Sequence, residues 1–181
     1  MVRSCLLILS MWMATTAWAG KTEVSEEALR AAIETEVARN AWAEADRAYV
    51  LLIDAGIRLD AREHLLAGQA ARAMGRVNDA LTRFELSARL EQTPEAEEEI
   101  ARITQEYGQV DLKIPGGWEG AVPLKARTPL VDPLLRLQLE EARKVLAAEG
   151  RYRGLLPLGG YRLGETAFEV TREEPVKVKL K

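Results

Sequence analysis

The sequence predicts an α+β fold: N-terminal α-helical hairpin repeats followed by a small antiparallel β-sheet or sandwich with one inserted helix. Three observations predict it. Apolar residues from Ser25 to Tyr107 recur at three and four, the period of a helix. The same region repeats itself at an offset of 35 residues. Composition then shifts near residue 109: the helical stretch has a single proline, Pro94, and six of the seven prolines follow it. The expected limits are 20–108 for the helical domain and 109–181 for the β-rich domain, with a helix at about 133–149.

Start and stop signals divide the first domain into five helices. Ser25 is placed to cap the first, with Glu26 and Glu27 in the turn where carboxylates meet unpaired amide groups. Asn40 ends it. The second runs from about Ala41 to Ala55 and stops at Gly56, which can take the left-handed conformation of a helix terminus. Asp60 with Glu63 forms a capping-box pattern that opens the third, and Gly75 closes it. The fourth spans about Val77 to Leu90. Thr93-Pro94-Glu95 starts the fifth, with proline at the position where its missing amide is harmless, and Gly108 ends it.

The internal repeat aligns Asn40 with Gly75, Glu44 with Asp79, Ala45 with Ala80, Tyr49 with Phe84 and Leu51 with Leu86. Small residues let paired helices approach, an aromatic one turn later fills the gap, and a turn residue tolerates positive φ. On Gly68, Ala71, Gly75, Ala80 and Phe84 the region resembles the tetratricopeptide repeat. It departs from that pattern where Ile33 occupies a glycine position, where His64 stands for a tryptophan, and where Pro94 comes about two residues late. An unrelated array of helical hairpins is the alternative. The resemblance implies an interaction surface lined by the first helix of each pair, here Glu27, Arg30, Glu34, Arg62, Leu65, Gln69 and Arg72. A solvated face is the plainer reading of the same residues, and the fifth helix reads as a cap on the array.

In the second domain, Val110 to Ile114 alternates apolar and charged residues before Pro115-Gly116-Gly117, the pattern of a half-buried strand and turn. Ala121 to Leu124 continues as a hairpin partner, held to an edge by Pro123. Asp132-Pro133 opens the inserted helix and Gly150 ends it. Short strands follow at 155–163, 167–170 and 176–180, the last with Val176, Val178 and Leu180 on one face and Lys177 and Lys179 on the other. Around Pro157, Gly159, Gly160 and Tyr161 the chain resembles the closing half of PEGA and related carboxypeptidase-regulatory-like sandwich modules, from which the inserted helix departs.

Residues 1–19 read as a secretory signal peptide: Arg3 in a basic start, an apolar run from Cys5 to Met13, and Ala17-Trp18-Ala19 as cleavage site. An uncleaved amphipathic anchor is the alternative. The apolar run is too short to span a bilayer, so no transmembrane segment is expected after cleavage. Cleavage discards the single cysteine and leaves 24 basic against 28 acidic residues, which argues against nucleic acid as partner. His64 is the only histidine, and Ser25 and Ser87 are the only serines of the mature chain. That supplies neither a usual metal set nor a well-placed triad. The expectation is a periplasmic or secreted non-catalytic adaptor without cofactor, binding a protein or peptide partner in the cell envelope, its oligomeric state open. The competing reading is a cell-wall polysaccharide-binding module on a helical spacer, with Trp118, Tyr152 and Tyr161 as the aromatics available for stacking, although core packing explains Tyr161 better.

Overall fold

The computed structural model describes residues 25–116, 118 and 120–180. The signal peptide assigned to 1–19 lies outside them. Five helices come first: α1 (Glu26–Ala38), α2 (Trp42–Asp54), α3 (Ala61–Ala73), α4 (Val77–Leu90) and α5 (Pro94–Glu106). Ser25 Oγ accepts a 3.2 Å hydrogen bond from the Ala28 amide at the start of α1. At α3 the capping box closes on both sides, the Glu63 amide donating to Asp60 Oδ1 and the Asp60 amide to Glu63 Oε2, each at 2.8 Å. Pro94 occupies the first turn of α5, but Thr93 supplies no side-chain cap.

The helices pack as antiparallel hairpins, α1 with α2 and α3 with α4, and the aligned positions carry the packing. Ala45 and Ala80 are fully buried, and the Tyr49 and Phe84 rings are both in the core. A β-carbon at Gly68 would come within 2.5 Å of the Phe84 ring, so glycine at that position is what lets α3 and α4 close over the phenylalanine. The turn positions match as well: Asn40 has φ 57° and Gly75 φ 77°. Asparagine is the non-glycine residue that takes this conformation at least cost.

The fifth helix stops at Glu106, short of the expected Gly108, and the chain enters strand β1 (Tyr107–Lys113) with no linker. The reason is packing. Tyr107 is buried with Ala71, Val77, Phe84, Ile103 and Leu155 in one cluster, so the first residue of the strand completes the core of the second hairpin. The compositional change at 109 therefore falls inside a strand.

The remaining elements are β2 (Leu124–Ala126), α6 (Pro133–Glu149), β3 (Arg151–Pro157), β4 (Gly159–Leu163), β5 (Thr166–Val170) and β6 (Val176–Lys179). They form two three-stranded sheets, ordered β3-β1-β6 and β2-β4-β5. Two expectations need correction. β2 pairs with β4, Leu124 opposite Leu163, and makes no hairpin with β1. The first sheet is mixed, because β6 runs parallel to β1 with Val110 beside Val176 and Lys113 beside Lys179. In both cases the partner lies far along the chain and local turn signals are silent about it. Between the sheets and under α6 lies the largest core, including Leu112, Leu124, Leu146, Leu156, Tyr161 and Leu163.

A polar network joins the two halves. Gln138 of α6 is 1% exposed. Its Oε1 accepts from the Val77 amide at 3.1 Å, capping the start of α4, whose preceding residue provides no side-chain cap. Its Nε2 donates to Tyr152 Oη and to the Leu155 carbonyl, both at 2.8 Å. Asn78 of α4 reaches the outer edge of β3, accepting from the Leu155 amide at 2.8 Å and donating to Tyr152 Oη at 3.0 Å. An edge strand is thus satisfied by a helix side chain.

Candidate functional site

Ion pairs set the first helices of the pairs, α1, α3 and α5, side by side. Arg30 on α1 pairs with Glu26 at 2.9 Å and with Glu63 of α3, and donates to the Arg58 carbonyl at 2.9 Å. Arg62 of α3 pairs back to Glu34 of α1 at 2.6 Å. Arg72 of α3 pairs with Glu99 and, at 3.7 Å, with Glu106 of α5. Four of the seven expected surface residues, Arg30, Glu34, Arg62 and Arg72, are thus tied to the neighbouring first helix.

Their accessibility differs. The Arg72 side chain is 16% exposed and works as an interhelical tie, whereas that of Arg62 is 69% exposed. Glu27 is exposed, and Leu65 and Gln69 are half-buried, Leu65 packing against the Phe84 core. Salt bridges to Glu63 and Glu26 raise the Arg30 pKa, and the Glu34 contact does the same for Arg62. These ties hold the face in shape.

His64 and Ser87 serve the interior, and Ser25 caps a helix at the surface. His64 Nδ1 lies 3.1 Å from Tyr49 Oη, and burial holds the imidazole below its ordinary pKa. Arg83 stacks 4.2 Å above the Tyr49 ring while Nη1 donates to Asp46 at 2.6 Å and to the Ala67 carbonyl at 2.9 Å. Ser87 Oγ donates to the Ala61 carbonyl at 2.7 Å, and Ser25 is the cap of α1. The structure does not bring the three side chains together.

No family model, curated protein or solved structure matches the chain. The surfaces therefore have to be read from their own chemistry.

The aromatics named for sugar stacking divide sharply. Tyr152 and Tyr161 are 2% and 1% exposed core side chains, which corrects the assignment of Tyr152 to sugar stacking and agrees with the core reading of Tyr161. The Tyr161 hydroxyl donates to the Pro157 carbonyl at 2.8 Å and its ring stacks on Phe168. Burial pushes Tyr152 up to about 12 and raises Tyr161 too. Trp118 stays at the surface.

The sequence reading missed the outward face of the β3-β1-β6 sheet. Asp111 on β1 receives Arg151 Nε at 2.8 Å, Arg151 Nη2 at 2.5 Å and Arg153 Nε at 3.3 Å. These bonds, with Arg151 foremost, lower its carboxyl to about 2. Beside it on the same face stand Lys113, Lys177 and Lys179, all exposed. Alternation in 110–114 and 176–180 signals that each strand has a charged face; what is missing from sequence is that the two faces adjoin. Where this sheet meets α4 and α5 there are two adjoining hollows of 280 and 380 Å³, sharing Leu81, Gln109, Leu155 and Pro175.

Proposed function

We propose that the chain is an exported, non-catalytic adaptor of the cell envelope, periplasmic or secreted, in which a tetratricopeptide-like helical half is joined to a PEGA-like β half. The observation that carries this reading is the row formed by α1, α3 and α5. Three first helices are held side by side by Arg30–Glu63, Arg62–Glu34 and Arg72–Glu99, giving one preformed polar face. A surface ordered before binding loses less freedom when a partner docks. The structural roles of His64, Ser25 and Ser87 fit the same reading, because the residues best suited to nucleophilic chemistry are used for packing and capping. Among the described residues no helix is long and apolar enough to cross a membrane.

The test is capture of envelope proteins on the immobilised mature chain, compared with a Glu27→Arg, Arg62→Glu variant. Both side chains are exposed, so the substitutions spare the core, whereas Arg72 would perturb the α3–α5 contact. Loss of a specific partner in the variant supports the assignment. Retention of every partner removes this face from the proposal.

A further inference from the structure

Charge is divided unevenly between the halves. Residues 25–106 carry 10 Lys and Arg against 17 Asp and Glu; residues 107–181 carry 13 against 10. The excess of cations is concentrated on the outward face of the β3-β1-β6 sheet, where Lys113, Arg151, Arg153, Lys177 and Lys179 surround the single carboxylate of Asp111. Lysines on β6 alone would be explained as protection of an exposed strand edge. That explanation extends to the arginines of β3, the other edge, but not to Lys113, which sits on the central strand.

One end of this face runs into a groove, while Lys113, Lys177 and Lys179 stand exposed beyond it. Gln109, Asp111 and Arg153 continue into the hollow walled on one side by Asn78, Leu81 and Thr82 of α4 and on the other by Pro175. At its other end, Leu81, Ile103, Leu155 and Pro175 provide an apolar notch, which Thr104, Arg172 and Glu173 also line. The surface therefore presents one apolar seat in the groove and, past Asp111 and Arg153, the exposed lysines of β1 and β6.

We propose that it binds an acidic, extended segment of a partner protein, with one apolar side chain in the notch and carboxylates at alternate positions along the cations. This rests on the adaptor reading and places a second contact of that adaptor on the β half. The spacing supports it: side chains two apart on an extended peptide repeat at the same interval as Lys177 and Lys179, or Arg151 and Arg153, on the strands below. An anionic bilayer fits less well, because the acidic helical half would be repelled from it. Nucleic acid fits less well too, since Tyr107, the aromatic on this side of β1, is turned into the helical core and offers no base a stacking partner.

The experiment uses the full mature chain and a fluorescein-labelled peptide of one leucine followed by glutamates at alternate positions, read by fluorescence anisotropy. Binding should weaken with added salt. It should fall about tenfold in the Lys177→Glu, Lys179→Glu chain, and it should also fall when glutamine replaces glutamate or glycine replaces leucine in the peptide. A Lys177→Gln, Lys179→Gln chain, with circular dichroism unchanged, should give an intermediate loss. Equal binding of the glutamine peptide, equal binding by the Lys177→Glu, Lys179→Glu chain, or recovery of the protein on phosphatidylglycerol vesicles without peptide binding would each overturn the proposal. Failure here leaves the adaptor reading separable: envelope partners lost in the Glu27→Arg, Arg62→Glu variant but kept by the Lys177→Glu, Lys179→Glu chain refute only the groove.

Discussion

Single side chains decide how the halves of this molecule meet, and Gln138 does the most. Its amide satisfies the Val77 amide, Tyr152 Oη and the Leu155 carbonyl from a position 1% exposed. Gln138→Ala leaves the Val77 amide buried without its acceptor and opens a gap beside β3, at an expected cost of about 2 kcal/mol. Urea unfolding of the variant should show a lower midpoint; an unchanged midpoint would mean the network does not hold the halves. His64 sets a pH dependence. Its folded pKa lies below 6.5, chiefly because burial disfavours the imidazolium; Arg83 adds to the shift, while Glu63 and Asp60 oppose it. The unfolded chain then takes up a proton that the folded chain refuses. The contribution is complete above pH 6.5 and declines as pH falls from there toward the folded value. Subtracting the stability curve of His64→Asn from that of the parent between pH 7.5 and 5 should isolate a decline with acid; a flat difference would refute it. His64 was legible as a packing residue, but Gln138 was not, since nothing in LRLQLEEA distinguishes an inward glutamine from a surface one.

At the scale of elements, the helices were the most legible part. Their caps and turn residues lie within a few positions of what they control, as with Ser25, Asp60 with Glu63, and Gly75. The strands were legible as strands and illegible as partners. β1 finds β3 on one side and β6 on the other, and neither register has a local signal. The same gap hid the basic face, which exists only once Asp111, Lys113, Lys177 and Lys179 are brought into line. Asp111 gives that face acid resistance: its contribution is present above the ordinary carboxylate value and is lost only as pH falls through about 2. The expected first-helix surface was better anticipated. Arg62 and Glu34 of that set adjoin across α1 and α3, but the pairing of Arg72 with Glu99, outside the set on α5, which turns it into a structural tie, depends on helix stacking and not on period.

Taken whole, the chain has a seam where its composition suggests a joint. Tyr107 and Leu155 complete a core otherwise built from α3, α4 and α5, and the Asn78 and Gln138 networks cross the same plane. A fragment ending at residue 108 keeps Tyr107 but loses Leu155, Gln138 and the rest of the sheet that positions them. It should expose apolar surface, bind a hydrophobic dye and unfold without a sharp transition, while a chain of residues 20–181 unfolds in one step by both tryptophan fluorescence and circular dichroism. Two resolved steps in the full chain would show that the halves are independent. The parallel pairing of β6 with β1 also bears on how the molecule comes into being. The central strand of the first sheet is finished by residues 176–179, so its second edge stays open until nearly all of the described chain is available. Contacts this distant in sequence are slow to form. The helical hairpins can therefore assemble early, and closure of the sheet, with the basic face it carries, is expected to be among the last events of folding.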